Sequence, residues 1–538
     1  MTTVVRRLLM ARPWLSLALL GSISALAHAP FYWVWLLPLC FAPALWLAAK
    51  RRSALGVIGA VQWFALGHFA AGMYWLAAPL FVAPENVPLG LVGSVIGTPI
   101  AVLGIPAVIA LCFALPVGLT LHWLNMTDRA GGWFMVLLVA LAWACGDWLR
   151  SWVLTGLPWN LTAYVWGWSA TMMQSVAWIG PYGLSFLTAL VAFAPLQLID
   201  QPQRWRAVVP VMIGVLAALW AVGMVRISGL ETAAVRAEPV TVGLIQPAGR
   251  QHLGRSREEM LVAVDDLLAL SHDVADQADV LIWSEGATGR ELYRDFEINN
   301  RVRQFTENNG PAIITGSTKF AFQHNQPGDL GGRYIATNSL SLIKDGAIQA
   351  EHDKAHLVPF GEYMPLRRLL TLPNLSLPGG DFAKGPGVQT IRQPGVPDMS
   401  PLICYEAIFP GRVVDRMRRP TWMVNITTDA WFGNTTGPHQ HLTNVRFRAV
   451  EEGLPLVRVA GAGISAVIDP FGRVEASIGH NQRDTLAVAL PGHLEKRPLF
   501  SAGGQVVVVT LFWLFLFWLA VVSLGNLRLS RVEKSNRH

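Results

Sequence analysis

The chain has 538 residues, of which 52% are hydrophobic and only 14% are charged. An ordinary soluble domain carries roughly 25% charged residues, so this composition excludes a purely soluble protein and indicates a membrane protein. The net charge of +7 is modest, and no basic tract typical of a nucleic-acid-binding protein is visible. The four cysteines, three of them in apolar segments, do not form a disulfide framework.

About eight apolar segments are long enough to span a membrane. The first follows a basic leader that ends at Pro13 and runs to about Ala29. A cleaved signal peptide is the alternative, but further spans follow at once, which favours an uncleaved first helix. The other segments are 31–49, 54–82, 89–124, 133–149, 173–199, 208–225 and 506–524. Three prolines interrupt 89–124, which is either one kinked helix or a helix plus a re-entrant piece.

The positions of Lys and Arg predict the orientation. They cluster in the leader, at 50–52, at Arg129, near 204–206 and in the tail after 524, whereas loop 83–88 has none. The positive-inside bias therefore places both termini in the cytoplasm. Residues 1–228 are then seven spans, residues 229–499 form an extracytoplasmic domain, and residues 500–538 contain the eighth span and a basic cytoplasmic tail.

One ionisable pair lies at the end of a predicted span. Asp147 and Arg150 are three residues apart, on one helix face near the surface that carries the large domain. They either anchor the helix at the interface or have a role beneath the soluble domain, such as contacting a polar head group.

From Pro239 onward, short β-rich runs alternate with helical stretches. The helix predicted at 257–275 has one apolar face, formed by Met260, Val264, Leu267 and Leu268. This alternation predicts a layered α/β domain, in which reactive groups sit at strand ends. The predicted buried strands are 240–245, 279–283, 312–316 and 421–425.

Three residues of this domain together make a chemically sensible site. Cys404 follows the apolar run 401–403, Glu285 follows a predicted strand, and Lys354 lies in a polar loop. A carboxylate can take a thiol proton, the sulfur can attack a carbonyl, and an ammonium can stabilise the oxyanion. Each residue alone is weak evidence, because a single cysteine is more often simply buried.

The ordered set Glu285, Lys354 and Cys404 resembles the triad of the nitrilase, or carbon-nitrogen hydrolase, superfamily. The chain is most similar to its membrane-embedded branch, the apolipoprotein N-acyltransferase family. The motifs that carry the resemblance are KAHLVPFGEYMP at 354–365, CYE at 404–406, DAWFG at 429–433, QHL at 440–442, RAVE at 448–451 and GISA at 463–466. The sequence departs from the family pattern in WSEGA at 283–287, where a proline before the glutamate and a threonine after it are usual, and at Thr428.

The resemblance implies a nitrilase-like αββα sandwich joined to seven spans before it and one after it. It also implies that Glu285 is the general base, Lys354 the oxyanion stabiliser and Cys404 the nucleophile. Glu362 then supports the site, and Tyr405 and Glu406 flank the nucleophile.

The implied reaction takes a fatty acyl chain from a membrane phospholipid as a Cys404 thioester. The N-terminal α-amine of a diacylglyceryl-cysteine in a lipoprotein then receives the chain. The implied setting is the bacterial inner membrane, with the catalytic domain in the periplasm, a monomeric chain, no cofactor and no metal. His439 and His441 alone are a weak metal signal.

Two other functions remain open at this point. A membrane-tethered amidase or nitrilase would use the same triad with water as the second nucleophile. A transporter or scaffold with an inactive hydrolase-like domain is disfavoured, because charged residues inside the spans are almost absent. The apolar arm 369–375 either covers the site or packs as a loop.

Overall fold

The structure of the chain is a computed structural model. It describes residues 3–82, 84, 87, 90–127, 132–230, 234–235, 240–249, 256–289, 291–308, 310–324, 332–365, 381–506, 509–510 and 513. The arm 369–375 therefore lies outside the described residues, as does almost all of the predicted span 506–524.

The first half of the chain is a helical bundle. Its helices are α1 (Thr3–Ala11), α2 (Pro13–Ser24), α3 (Leu36–Ala49), α4 (Ala54–Gly72), α5 (Ala78–Val82), α6 (Gly90–Pro99), α7 (Ile105–Met126), α8 (Gly132–Leu149), α9 (Ala170–Met173), α10 (Val176–Phe193), α11 (Leu196–Asp200) and α12 (Trp205–Leu230).

Among the described residues, five helical segments are long and apolar enough to cross a membrane, or six if α1 and α2 count as one bent span. Helix α3 has only 14 residues and falls short of that length. The five segments are Ala54–Gly72, Gly90–Met126, Gly132–Leu149, Val176–Asp200 and Pro202–Gly229. The chain is therefore a multi-pass membrane protein.

Two predicted segments are resolved in detail by the structure. The basic leader is itself a helix, α1, which meets α2 at 107°. Pro13 opens α2, where its missing N–H is not needed. Segment 89–124 is one helical run from Gly90 to Met126 rather than a re-entrant loop. A π-helical turn at Ile100–Gly104 follows Pro99 and absorbs the irregularity that the prolines introduce.

The second half contains two six-stranded sheets. Their order is β13-β2-β3-β4-β5-β6 and β12-β11-β10-β9-β8-β7, and the pairs β2–β3, β3–β4, β8–β9 and β9–β10 are parallel. The strands are β1 (Ala234–Val235), β2 (Thr241–Gln246), β3 (Val280–Ile282), β4 (Ala312–His324), β5 (Gly332–Lys344), β6 (Ala347–Asp353), β7 (Ile391–Gln393), β8 (Val396–Ile403), β9 (Trp422–Thr427), β10 (Leu456–Ala460), β11 (Ser465–Ile468), β12 (Val474–Ile478), β13 (Asp484–Ala489) and β14 (His493–Leu494). Strands β1 and β14 form a separate pair.

The sheets pack face to face through apolar side chains such as Val242 and Ile282 from one sheet and Ile403 and Val424 from the other. The domain's helices are α13 (Arg257–Ala275), α14 (Glu291–Arg294), α15 (Phe296–Phe305), α16 (Gly437–Glu452) and α17 (Leu499–Gly503). Helices α13 and α15 cover the first sheet and α16 covers the second. This arrangement confirms the expected αββα sandwich.

The four predicted strands and the helix at 257–275 are present. Ser256 and Glu259 form a capping box that fixes the start of α13. The predicted apolar face is confirmed, because Met260, Val264 and Leu267 are buried and the partly buried Leu268 packs against the same cluster. Leu270 and Val274 extend this face along the helix.

Helix α16 joins the domain to the bundle through Gln440. Its Oε1 accepts hydrogen bonds from Nε1 of Trp75 (2.9 Å) and of Trp159 (2.8 Å). Its Nε2 lies within hydrogen-bonding distance of the carbonyl oxygens of Ala29 (3.3 Å) and Gly72 (3.1 Å). One buried amide therefore contacts three separate segments of the bundle, which fixes the sandwich on the membrane helices.

Candidate active site

The site lies where several strands end. Glu285 comes three residues after β3, Lys354 comes directly after β6, and Cys404 comes directly after β8. The carboxyl ends of the parallel strands in each sheet meet at one edge, and the two sheets bring these edges together. The structure thus brings the three predicted residues to one place.

Lys354 is the centre of a buried cluster of charged and polar groups. Its Nζ donates to Oε1 of Glu362 (2.8 Å) and is 3.5 Å from Oε1 of Glu285, and its side chain is 1% exposed. Asn338 on β5 donates from Nδ2 to the same two carboxylate oxygens, at 2.9 Å and 2.8 Å respectively. We call these four residues the lysine cluster.

The remaining carboxylate oxygens of the lysine cluster are held by main-chain N–H groups. Glu285 Oε2 accepts from the N–H of Thr428 (2.9 Å), and Glu362 Oε2 accepts from the N–H of Val358 (2.8 Å). Both carboxylates are therefore fixed in position, and Glu285 is attached to the second sheet at the end of β9.

Cys404 has an unusual backbone conformation. Its φ of 52° lies in the left-handed region, which a residue with a Cβ rarely adopts. The residue opens the 3₁₀ turn Cys404–Ile408 directly after β8. Such conformations persist only where the surrounding structure imposes them, and they cluster at functional sites. The turn holds the thiol where Glu285 and Lys354 both act on it electrostatically.

The buried cluster raises the proton affinity of both the Glu285 carboxylate and the Cys404 thiol. Burial raises the pKa of Glu285, and the nearby Glu362 adds to this, whereas Lys354 opposes it. Burial also raises the pKa of the Cys404 thiol, with Glu285 adding to the effect and Lys354 opposing it. Burial alone would lower the pKa of Lys354, but Glu362 and Glu285 outweigh it, so the net pKa is raised and the ammonium stays charged.

Glu406 connects the loop after Lys354 (the lysine loop, 355–358) to the 3₁₀ turn Cys404–Ile408 (the cysteine turn). Its Oε1 accepts from the N–H groups of Ala355 (2.8 Å) and His356 (3.2 Å), and its Oε2 accepts from the N–H of Ile403 (2.8 Å). Burial opposes ionisation, but His352 and these N–H groups outweigh it, so the pKa of Glu406 is lowered. Glu406 therefore acts as a charged anchor, because its oxygens are already used by the backbone on both sides of the site.

Tyr405 and His356 connect the site to the bundle. The Tyr405 hydroxyl donates to the carbonyl of Gly156 (2.5 Å), and His356 Nε2 is 3.1 Å from the carbonyl of Thr155. Gly156 has a φ of 91°, and a Cβ there would lie 2.2 Å from the carbonyl oxygen of Ser151. The loop between the fifth and sixth predicted spans thus directly supports both residues.

Asp147 and Arg150 hold that loop from within the bundle. Their side chains form an ion pair at 3.0 Å and are each 1% exposed. Arg150 Nη1 also donates to the carbonyl of Leu157 (3.1 Å), and Asp147 Oδ2 accepts from the N–H of Thr162 (2.9 Å). Of the two predicted roles, the one beneath the domain is supported, because the buried pair holds the loop that bonds to Tyr405 and His356. Interfacial anchoring and a head-group contact stay predictions. The i, i+3 spacing gave no sign of the loop that folds over the pair.

A second buried network lies behind Cys404, and the residue-by-residue reasoning did not assign it. Asp429 Oδ2 pairs with Arg458 Nη2 (2.6 Å), and its Oδ1 is 3.0 Å from His441 Nδ1. Arg458 also donates to Asn425, whose Nδ2 lies 3.2 Å from the carbonyl of Leu402. The DAWFG and QHL motifs contain Asp429 and His441, so the signal was present. Asn338 gave none, because it sits within a strand.

The described residues contain no group of three His, Cys, Asp or Glu side chains arranged to hold a metal. His441 instead bonds to Asp429, and its ring lies 5.1 Å from that of Trp159. Its partners are those of a hydrogen-bonding residue at the junction of the domain and the bundle.

Comparison with known proteins agrees with this architecture. Residues 241–496 match the carbon-nitrogen hydrolase family, and residues 20–194 match the family described as apolipoprotein N-acyltransferase N-terminal domain. The apolipoprotein N-acyltransferase of Rhodopseudomonas palustris is 35% identical, with 88% of each chain covered, and that of Bradyrhizobium diazoefficiens is 36% identical over the same shares. Among solved structures, an amidase from Nesterenkonia sp. is 19% identical with a TM-score of 0.35, covering 52% of this chain and 98% of the amidase.

The fold and the matched families define a membrane-embedded enzyme of the nitrilase superfamily. Within that superfamily, the chain belongs to the apolipoprotein N-acyltransferase family. By this membership it is an acyltransferase of lipoprotein maturation.

Proposed function

We propose that the chain transfers a fatty acyl chain from a membrane phospholipid to the N-terminal α-amine of diacylglyceryl-cysteine in lipoproteins, through a thioester on Cys404. The observation that carries this proposal is the lysine cluster beside the left-handed cysteine turn. It combines a buried cation, two fixed carboxylates and a thiol.

In the first half-reaction Glu285 takes the thiol proton and the Cys404 sulfur attacks the ester carbonyl of the phospholipid. Lys354 stabilises the oxyanion that forms. When the C–O bond breaks, Glu285 returns the proton to the leaving oxygen, and lysophospholipid departs. The raised pKa of Glu285 supports this role, because a base works best when its pKa lies near the operating pH.

In the second half-reaction the lipoprotein's α-amine attacks the thioester carbonyl. Glu285 removes a proton from the amine, Lys354 again stabilises the oxyanion, and the C–S bond breaks. The proton passes to the sulfur, which restores the thiol and leaves an amide on the lipoprotein. Both half-reactions use the same three residues, so the enzyme alternates between a free and an acylated form.

Glu362, Tyr405 and Glu406 act as positioning residues in this proposal. Glu362 accepts a hydrogen bond from the Lys354 ammonium and holds that ammonium beside Glu285. Glu406 fixes the distance between the lysine loop and the cysteine turn, and Tyr405 fixes that turn against the bundle.

The membrane setting follows from the substrates, whose acyl chains remain in the bilayer. Extracting a chain costs about 0.8 kcal/mol per CH₂, and a site resting on its own spans avoids that cost. In this proposal residues 1–228 and 500–538 supply the spans and 229–499 the catalytic domain. Both termini are cytoplasmic and the domain is periplasmic, because the basic segments among the described residues, at Arg6 and 50–52, lie at the bundle end away from the domain.

The deciding experiment is mass spectrometry of the purified protein after incubation with phospholipid alone. The wild type is expected to gain one acyl group on Cys404, and Cys404→Ala and Cys404→Ser are expected to lose both the adduct and transfer to a diacylated lipopeptide. Cys145→Ser is the matched control, because Cys145 lies within α8. An adduct elsewhere, or full activity in Cys404→Ala, refutes the proposal. Acyl groups recovered as free acid would instead indicate a hydrolase.

A further inference from the structure

A group of basic and aromatic residues lies at the end of the bundle away from the catalytic domain. Helices α2 and α4 both run toward the domain, where Gln440 approaches the carbonyls of Ala29 and Gly72. Their opposite ends carry Arg12 and the 50–52 segment. Helix α4 has 19 residues and is therefore about 28 Å long. The two ends of the bundle are thus separated by roughly the thickness of the hydrocarbon core.

Three basic residues at this end lie over two tryptophan rings, those of Trp46 and Trp14. Arg6 Cζ lies 5.7 Å from the ring centroid and Lys50 Nζ lies 5.4 Å from it. Arg51 Cζ lies 4.7 Å from the ring of Trp14, at the start of α2. We call Arg6, Trp46, Lys50 and Arg51 the basic cluster. It draws on α1, the end of α3 and the segment that follows.

Three N–H groups of the basic cluster are buried and donate to no acceptor within the described part of the chain. They are Nε of Arg6, Nε of Arg51 and Nε1 of Trp46. The Trp46 side chain is only 5% exposed. Buried donors are almost always paired in folded proteins, so three unpaired donors at this end of the bundle indicate an acceptor from outside the described residues.

The charge balance specifies what kind of acceptor fits. The carboxylate that pairs with the cluster in the described structure is Asp200, 3.2 Å from Arg6 Nη2 and itself half exposed. The cluster therefore keeps a net positive charge. An oxyanion with several acceptor oxygens, such as a phosphate, matches both the charge and the donors.

Helix α1 places this site at a membrane surface. It meets α2 at 107°, so it does not continue the span but lies across the end of the bundle. Val4 and Leu8, one turn apart, are each 67% exposed, whereas Arg6 lies on the opposite side of the helix and pairs with Asp200. A helix that exposes apolar side chains beside arginines is typical of helices that lie in the interface plane of a bilayer.

We propose that the basic cluster binds the phosphate of an anionic phospholipid in the leaflet opposite the catalytic domain, with α1 lying in that interface beside it. The occupant is a lipid rather than free phosphate, because the exposed apolar side of α1 and the adjoining spans provide a surface for its acyl chains. This site is separate from the proposed catalytic reaction and does not depend on the roles assigned to Cys404 and the lysine cluster.

The test is a native mass spectrometry titration of the full-length, delipidated protein with dioleoyl phosphatidylglycerol or dioleoyl phosphatidylcholine. Phosphatidylglycerol is expected to bind at least about tenfold more tightly, because the headgroup charge is then unneutralised. Equal binding of the two lipids overturns the proposal. Competition by inorganic phosphate without any preference between lipids overturns the assignment of a lipid.

Variants separate a defined site from the general positive charge of this end. Arg6→Ala/Arg51→Ala is expected to weaken phosphatidylglycerol binding at least about tenfold, since two charge-assisted hydrogen bonds are lost. The control, Arg204→Ala/Arg206→Ala, removes the same charge at the same end of the bundle. It is expected to change the affinity for phosphatidylglycerol less than about twofold. Equal losses in the two pairs overturn the proposal.

Two further variants keep the test informative if the alanine pair is poorly folded. Trp46→Phe removes one donor without a charge and is expected to weaken binding roughly threefold to tenfold. Val4→Ser/Leu8→Ser leaves every donor in place but removes the apolar side of α1, and we expect it to weaken lipid binding without affecting inorganic phosphate. Unchanged lipid binding in both variants contradicts the proposal, with the melting temperature of each variant as the check on folding.

Discussion

Two buried ion clusters lie on either side of the junction between the domain and the bundle, and they differ in charge balance. Asp147 and Arg150 carry one charge each, and their remaining hydrogen bonds go to the main chain. The lysine cluster has one cation and two carboxylates, Glu285 and Glu362, and lies beside a thiol. Burial of charge is common to both, so burial alone does not mark a reactive site. In the proposed reaction the surplus carboxylate makes the difference, because it is the group that accepts a proton.

The two clusters are nevertheless physically connected. The ion pair in the bundle holds the 150–162 loop, whose carbonyls at Thr155 and Gly156 bond to His356 and Tyr405. We therefore expect substitutions in the lysine cluster to affect the chemistry first, whereas disturbing the Asp147–Arg150 pair should change stability first and activity as a consequence.

The largest effect is expected for Glu285→Gln. The amide keeps the shape and the hydrogen bond from Thr428 but cannot take a proton, so kcat is expected to fall by about 10²–10⁴-fold. Because the pKa of Glu285 is raised, wild-type activity should rise with pH as this carboxylate ionises, and that rise should be absent in the variant.

Steady-state transfer to a diacylated lipopeptide across a pH series measures both effects. Glu259→Gln, at the exposed cap of α13, is the control for loss of a carboxylate. A variant that keeps more than a tenth of wild-type activity, or the same pH profile, contradicts the role of Glu285.

Asp147→Asn tests the unreactive cluster. It leaves Arg150 buried without a counter-ion, which typically costs about 3–5 kcal/mol of the free energy of unfolding. Thermal or denaturant unfolding in detergent measures the loss. In Asp265→Asn the exposed pair with Arg301 is removed, and a loss below about 1 kcal/mol is expected. Similar losses of unfolding free energy in the two variants would show that the buried pair stabilises the fold no more than the exposed pair does.

Glu406→Gln tests the connection between the lysine loop and the cysteine turn. The amide cannot accept from N–H groups with both of its ends, so the loop and the turn lose a charge-assisted bond worth about 1.5–3 kcal/mol. We expect kcat to fall while KM stays nearly constant, because substrate binding does not involve this carboxylate. Restoration by Glu406→Asp is not expected, because the shorter side chain cannot reach both segments.

Rates of alkylation of Cys404 by a small thiol reagent provide a readout besides turnover. If Glu406 positions the turn, the alkylation rate changes in Glu406→Gln together with kcat. An unchanged alkylation rate combined with a fall in kcat would instead indicate a direct role in the reaction.

Much of the fold was predictable from the sequence, because it follows from local patterns. The apolar runs fixed the bundle, and the buried strands with α13 fixed the layered domain. Cys404 and Glu285 were candidates because each follows a predicted strand, and Lys354 and Cys404 because each belongs to a motif. What failed depends on contacts between distant segments. The burial of Asp147 requires the loop that reaches Thr162, and the role of Asn338 requires β5 to lie beside Glu285 and Glu362.

The smallest predicted effect concerns His356, which links the lysine loop to the 150–162 loop of the bundle. Burial, with Arg412 next in importance, lowers its pKa from an ordinary value of 6.5 to about 4. Glu406 opposes this shift, and Lys384 reinforces it. Between these two pH values the unfolded chain binds more protons at this residue than the folded chain does. Its effect on stability is therefore a loss that grows as the pH falls from about 6.5 toward 4.

His356→Gln keeps an N–H donor for the carbonyl of Thr155 but removes the titration. The melting temperature of the variant should therefore fall less than that of the wild type between pH 7 and pH 4.5, a window set by the two values of the His356 pKa. His272→Gln, at an exposed histidine of α13, controls for the loss of an imidazole elsewhere. If the two variants lose stability in parallel with the wild type, His356 is not the group that couples protonation to the junction. A melting temperature that depends less on pH in His356→Gln alone would show that the link between the lysine loop and the bundle weakens when this ring is charged.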